Sequence, residues 1–334
     1  MSSSPWDHHS LVDQVACDAN TLFGDEKLAG LYIDERSFLK KDHASVGVQR
    51  QWSGRAGKVE NCQVGVYACL GRDTRVCLTD FRLYLPEAWT QDSTRLDKAK
   101  VPEQCRVHKT KHEQAWEMIV HARKQGLRFG WVGFACLYGK LLNAVEDLGG
   151  ALCGRCGQDD QGMEATTTTG ETARGPGTTR EELSAQRGQH RTVSQRGSID
   201  PGALRIGTPT GSNTAQAPRG SCGLSDLGEH RRTWEPGTQE PRERLLIIRR
   251  DADNSFKYSL CNLPAGQPVV GPLCLGTGPA LLDRTCLPRS EEPVGHGTVS
   301  GVGLAGWHHH MALVAMALLF FPKLCTQVHP RSRC

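Results

Sequence analysis

Over roughly the first 150 residues, apolar and polar positions follow recognisable periods. Leu31-Tyr32-Ile33 is a short apolar run that gives way to Asp34 and Glu35. Residues 61–70 and 75–85 mix β-branched, aromatic and apolar side chains as strands do, and Gly71-Arg72-Asp73 between them reads as a turn. From 111 to 125, Ala115, Met118, Ile119 and Ala122 recur at helical spacing, and Gly126 stands just beyond them as a stop. Residues 128–134 then read as a buried strand. Strands, a helix and a further strand predict a mixed α/β sheet.

The periods then stop. Between Leu141 and Glu243 the only aromatic residue is Trp234, and the stretch holds Thr166-Thr167-Thr168-Thr169 and Gly-Pro pairs. Such a segment buries too little apolar surface to offset its conformational entropy, so disorder is expected over 151–243. Patterning returns at Arg244-Leu245-Leu246-Ile247-Ile248 and lasts to about 274. It lapses again over 275–304, which has no aromatic residue, and resumes over 305–334. The expected organisation is therefore a folded part at 1–150, an unpatterned part at 151–243, a patterned return at 244–274, a second lapse at 275–304 and a helical end at 305–334.

Composition agrees with a good domain diluted by unpatterned sequence. Hydrophobic residues make up 38% and aromatics 6%, which is lean for an enzyme of 334 residues. A formal charge of +4 suits a nucleic-acid binder, because Lys and Arg neutralise phosphates, but suits many other proteins as well. No basic stretch followed by an apolar run opens the chain, so a cytoplasmic protein is expected, and its 14 Cys read as reduced thiols. The apolar run 311–321 is shorter than the ~20 residues that span a bilayer and reads as a core helix, with no membrane partner expected.

Several blocks resemble one family. Asp34-Glu35-Arg36-Ser37-Phe38-Leu39-Lys40-Lys41, then Ser45-Val46-Gly47-Val48-Gln49-Arg50-Gln51-Trp52-Ser53-Gly54 and Gly57-Lys58-Val59-Glu60-Asn61-Cys62, are similar to the first catalytic segment of bacterial insertion-sequence transposases of the DDE endonuclease superfamily. Arg82-Leu83-Tyr84-Leu85-Pro86 with Trp89, Trp131-Val132-Gly133 with Tyr138-Gly139-Lys140, Lys257-Tyr258-Ser259-Leu260 and Trp307-His308-His309-His310 follow in the family's order. The resemblance implies a ribonuclease H-like fold, here incomplete, and metal-dependent cleavage and strand transfer at transposon ends. In such enzymes three carboxylates hold two divalent ions that activate the attacking oxygen and stabilise the leaving one. Mg²⁺ is the implied ion, and as a hard cation it takes oxygen ligands.

Asp34 matches the first carboxylate and metal ligand. Glu35 beside it points to the opposite face if the strand continues, so one of the two faces the metals. The family's second Asp falls at 135, where this chain has Ala135, which has no ligand atom. The third carboxylate, a Glu ahead of the Trp-His-His-His block, has no match. Asp283, Glu291 and Glu292 stand there among Pro, Gly and Ser, without helical context. A copy that has lost cleavage is expected, its unpatterned segments being the trace of compensating frameshifts. The helical region that usually precedes the family's catalytic domain is expected to be missing. The alternative is a non-catalytic DNA-binding or interaction protein derived from a transposase.

Arg50, Arg55 and Lys58 are candidate phosphate contacts, as is the group Lys98, Lys100, Arg106, Lys109 and Lys111. Aromatic residues interleaved with bases, as in single-strand binders, are not visible. Cys153-Gly154-Arg155-Cys156 has no second pair to complete a zinc site. The three His at 308–310 would fan over roughly 200° of a helix and cannot all address one ion.

Overall fold

The computed structural model describes residues 6–54, 56–72, 75–134, 138, 141–147, 151–156, 227–233, 242–250, 256–262 and 303–328. Long β1 (Asp25–Leu39) runs antiparallel to long β3 (Lys58–Arg72), from Gly30 opposite Gly71 to Leu39 opposite Cys62. The other edge of β3 carries β2 (Gln49–Ser53) near its start and β4 (Arg75–Leu83) along the rest, both antiparallel. On the far side of β1, β5 (Phe129–Phe134) is parallel to it, and β6 (Ala151–Cys156) is parallel to β5. The order β4-β3-β1-β5-β6, three antiparallel strands followed by two parallel ones, is that of a ribonuclease H-like sheet. The mixed α/β expectation holds.

Helices follow from caps and apolar spacing. Asp7 caps α1 (His8–Phe23) by accepting from the amides of His9 and Ser10 at 3.0 and 3.1 Å. Thr110 and Glu113 form a reciprocal capping box on α4 (Lys111–Lys124). The left-handed φ of 73° at Gly126, just past α4, is the stop read from the sequence. Two short helices, α2 (Glu87–Thr90) and α3 (Ser93–Lys98), follow β4, and α5 (Leu141–Asp147) follows β5.

Strand alternation decides which face meets α4. Leu31 and Ile33 of β1, Val66 and Ala68 of β3 and Val132 of β5 join one core with Ala115, Met118 and Ile119 of α4. The other face carries Tyr32 edge-on to Trp131, their rings 4.9 Å apart. This aromatic layer needs glycine beneath it, since a methyl at Gly30 would stand 2.5 Å from the Trp131 ring.

The last helix, α6 (Leu304–Val328), carries the Trp-His-His-His block and is longer than the apolar run 311–321. Leu304–Leu324 is long and apolar enough to cross a membrane by length and composition alone, and 47% of that window is buried within the protein. Trp307, Met311, Ala315 and Leu319 are buried, the helix lies along α1 and β4, and Lys323 pairs with Asp18 of α1 at 3.1 Å.

Two compact units are distinguished, Met1–Cys156 with Ser259–Cys334, and Gly157–Tyr258. The second contains the antiparallel pair β7 (Leu227–Thr233) and β8 (Arg242–Arg250), and β9 is Phe256–Cys261. β8 is the run read as the return of patterning. β6 and β7 fall inside the 151–243 stretch that the sequence leaves unpatterned, and, the first two residues of β8 apart, the rest of that stretch is not described. Their sequences, ALCGRC and LGEHRRT, carry little apolar period of their own. Pairing with β5 and with the Leu-Leu-Ile-Ile run of β8 supplies what local pattern does not. The rest of 157–226, and 263–302 with Asp283, Glu291 and Glu292, lies outside the described residues.

Candidate active site

Asp34 lies within β1, five residues before its end, and pairs across to Tyr67 of β3. The apolar run ends at Asp34 but the strand does not, so it is no solvated strand end. On the other side of β1, the parallel pairing with β5 ends at Ile33 opposite Phe134. Asp34 therefore stands at the carboxyl end of the parallel pair, where ligands of open α/β sheets bind. Its carboxylate accepts the Glu35 amide at 2.8 Å.

The opposite-face expectation for Asp34 and Glu35 is met. Asp34 shares its face with Tyr32, whereas Glu35 points to α4 and receives the Lys111 ammonium at 2.6 Å, both side chains less than a fifth exposed. Lys111 also stands 5.3 Å from the Tyr84 ring centre. Tyr138, which the sequence placed in a family block without a role, is buried near both carboxylates. Burial, then the charges of Glu35 and Asp34, push its phenol well above the usual tyrosine range. Its hydroxyl has no hydrogen-bond partner among the described residues. The arrangement is one half-buried carboxylate, one lysine-neutralised carboxylate and one neutral phenol.

Such a set does not fit a pair of hard divalent ions. Glu35 already has its cation, and Ala135, next in the chain after Phe134, offers no oxygen from its side chain; its position lies outside the described residues. Among the described residues, the one group of three possible ligands is Asp7, His8 and His9 at the start of α1. Both Asp7 oxygens there are engaged in capping.

The three consecutive histidines go to separate places, as the helical fan requires. His308 Nδ1 faces the Leu304 carbonyl at 3.0 Å, and its ring stacks on His8 at 4.5 Å. Burial, then His8, push His308 down to about 3; burial, then His9, push His8 down to about 4. Both rings are thus neutral near pH 7. His309 stacks on Trp6 at 4.1 Å, and His310 has Lys40 as its charged neighbour. His308 and His309 thus pack against the start of α1 and the residue before its cap.

The candidate phosphate contacts divide. Arg50 is exposed on β2, and the Lys58 side chain is 68% exposed although 2.7 Å from Glu60. Arg55 lies outside the described residues. In the second group, Arg106 holds Asp97 at 2.7 Å, Lys109 holds Glu117 at 2.6 Å and Lys111 holds Glu35, so these three serve internal ion pairs. Cys153 and Cys156 lie on the β6 backbone.

Residues 1–196 match the family model described as DDE superfamily endonuclease, so family-like sequence runs past residue 150. No curated protein matches the chain.

Proposed function

The chain belongs to the DDE superfamily endonucleases, and we propose that it derives from an insertion-sequence transposase as a copy that no longer cuts DNA. Endonucleases of this superfamily generally depend on divalent metal ions, which activate the attacking oxygen and stabilise the leaving one. Asp34 is the metal ligand and catalytic carboxylate this chain would bring to that chemistry. One observation carries the loss. The family's second Asp falls at 135, and this chain has Ala135 there, which has no ligand atom to share with Asp34.

Transposon-end DNA is the partner this reading implies, Mg²⁺ the ancestral ion, and the bacterial cytoplasm, at the nucleoid when DNA is bound, the location. The non-catalytic DNA-binding alternative keeps the same first half and is favoured by the exposed Arg50 and Lys58. Supercoiled plasmid incubated with the purified chain in Mg²⁺ or Mn²⁺ is expected to stay intact, with Asp34→Ala indistinguishable from the unaltered chain. Nicking that needs the metal and disappears in Asp34→Ala would refute the loss of activity.

A further inference from the structure

Beyond Leu39, where β1 ends, β3 continues outward with β2 as a two-stranded hairpin. Trp52 stands opposite Val59 on it, and Arg50 opposite Asn61. Alternation along β3 puts positions 59, 61 and 67 on one face, so Trp52, Val59 and Arg50 share the face that carries Asp34, the partner of Tyr67. Trp52 is 57% exposed and Val59 48% exposed, an apolar pair turned to solvent in a hairpin whose residues 49–61 hold Arg50, Arg55 and Lys58 against Glu60. The sequence hid this surface, because Arg50 and Trp52 become neighbours only through a period of two.

We propose that the β2–β3 hairpin docks duplex DNA, with Trp52 and Val59 as an apolar wedge and Arg50, on the same face, as a phosphate contact. The inference rests on the DNA reading above. An exposed tryptophan in a cationic surround matches a polyanion with stackable bases. A second copy of the chain matches it poorly, because a two-fold contact would set one basic hairpin against another. Eight residues of β3 separate Tyr67 from Val59, about 27 Å at strand rise. A duplex with its reactive phosphate at Asp34 would meet the wedge about eight base pairs away, at 3.4 Å per base pair.

Fluorescence anisotropy of a labelled 30-base-pair duplex, titrated with the full-length chain at several salt concentrations in EDTA, tests this. Trp52→Ala should weaken binding about tenfold, and Arg50→Gln should lower the salt slope by about one. Far-UV circular dichroism checks that both variants fold, and both positions are exposed. Duplex binding by the unaltered chain with affinity and slope unchanged in both variants overturns the hairpin's role alone. No binding by the unaltered chain overturns the DNA reading as well. A dimer in sedimentation that Trp52→Ala dissociates, with DNA affinity unchanged, assigns the wedge to a second copy and overturns the proposal.

Discussion

Trp89→Ala is expected to lower the free energy of unfolding by about 3–5 kcal/mol, the range for emptying a buried aromatic site. Trp89 is fully buried in α2, and its indole N–H donates to the Val48 carbonyl at 2.8 Å. The Arg95 guanidinium covers the ring at 3.9 Å and also donates to Val48 at 2.8 Å. Trp89 thus ties the segment after β4 to the loop that leads into β2. Truncation leaves a cavity and strips the apolar support from Arg95, whereas Trp89→Phe keeps most of the volume and should cost less. Urea denaturation followed by far-UV circular dichroism measures both. A loss below about 1 kcal/mol for Trp89→Ala would mean that this segment is not packed as described.

The second large effect is electrostatic. Asp80 of β4 has a side chain only 14% exposed, and it faces Arg82 at 3.1 Å and His121 of α4 at 3.4 Å. His121 also stands 3.6 Å from Asp13 of α1, so the group joins the two helices to the edge of the sheet. Burial raises the Asp80 carboxyl, but the His121 hydrogen bond and the charges of Arg82 and His121 outweigh it and leave it below its ordinary value. The Asp80 hydrogen bond raises His121 against the opposing effect of burial, and the charges of Asp80 and Asp13 add to the rise. Asp80→Ala leaves Arg82 without its buried carboxylate and removes the group that holds the His121 proton, and should cost about 3 kcal/mol, the low end for a broken buried pair because some water still reaches it.

The signs set a pH window. His121, raised on folding, contributes fully below the ordinary histidine value near 6.5, and that contribution fades as pH rises through its folded value. Asp80, lowered on folding, contributes above the ordinary carboxylate value near 3.9, and its contribution fades as pH falls through its folded value. Stability from this group should therefore be greatest between about pH 4 and 6.5. Urea midpoints measured from pH 4 to 9 should decline on the alkaline side in the unaltered chain, and His121→Gln should flatten that decline. An equal decline in the variant would remove His121 as its cause.

Period and spacing carried much of the sheet. The helix at 111–125, its glycine stop and the strand over 128–134 follow directly from apolar spacing, because each buries one face against the same core. β6 and β7 were not legible, since short strands with small or charged residues owe their state to the strands they pair with. The start of α1 was also hidden, because Trp6 and His8 find their partners, His309 and His308, some 300 residues away. At the candidate site, the residues Asp34 and Ala135 were readable from the family pattern and the opposite facing of Glu35 from strand geometry. The Lys111 pairing and the nearness of Tyr138 were not, because α4 and the segment after β5 reach β1 only through the crossover. Trp52 looked like one more residue of a family block until its opposite strand was known.

If the Asp34 crevice has lost its metal centre, manganese binding will show it. Electron paramagnetic resonance of free Mn²⁺, titrated against the unaltered chain, Asp34→Ala and Ala135→Asp, reads occupancy without requiring cleavage. The unaltered chain and Asp34→Ala should take up manganese equally weakly, and Ala135→Asp should gain a site that a further Asp34→Ala change removes. A tight manganese site in the unaltered chain that vanishes in Asp34→Ala would contradict that loss and return the protein to the active endonucleases.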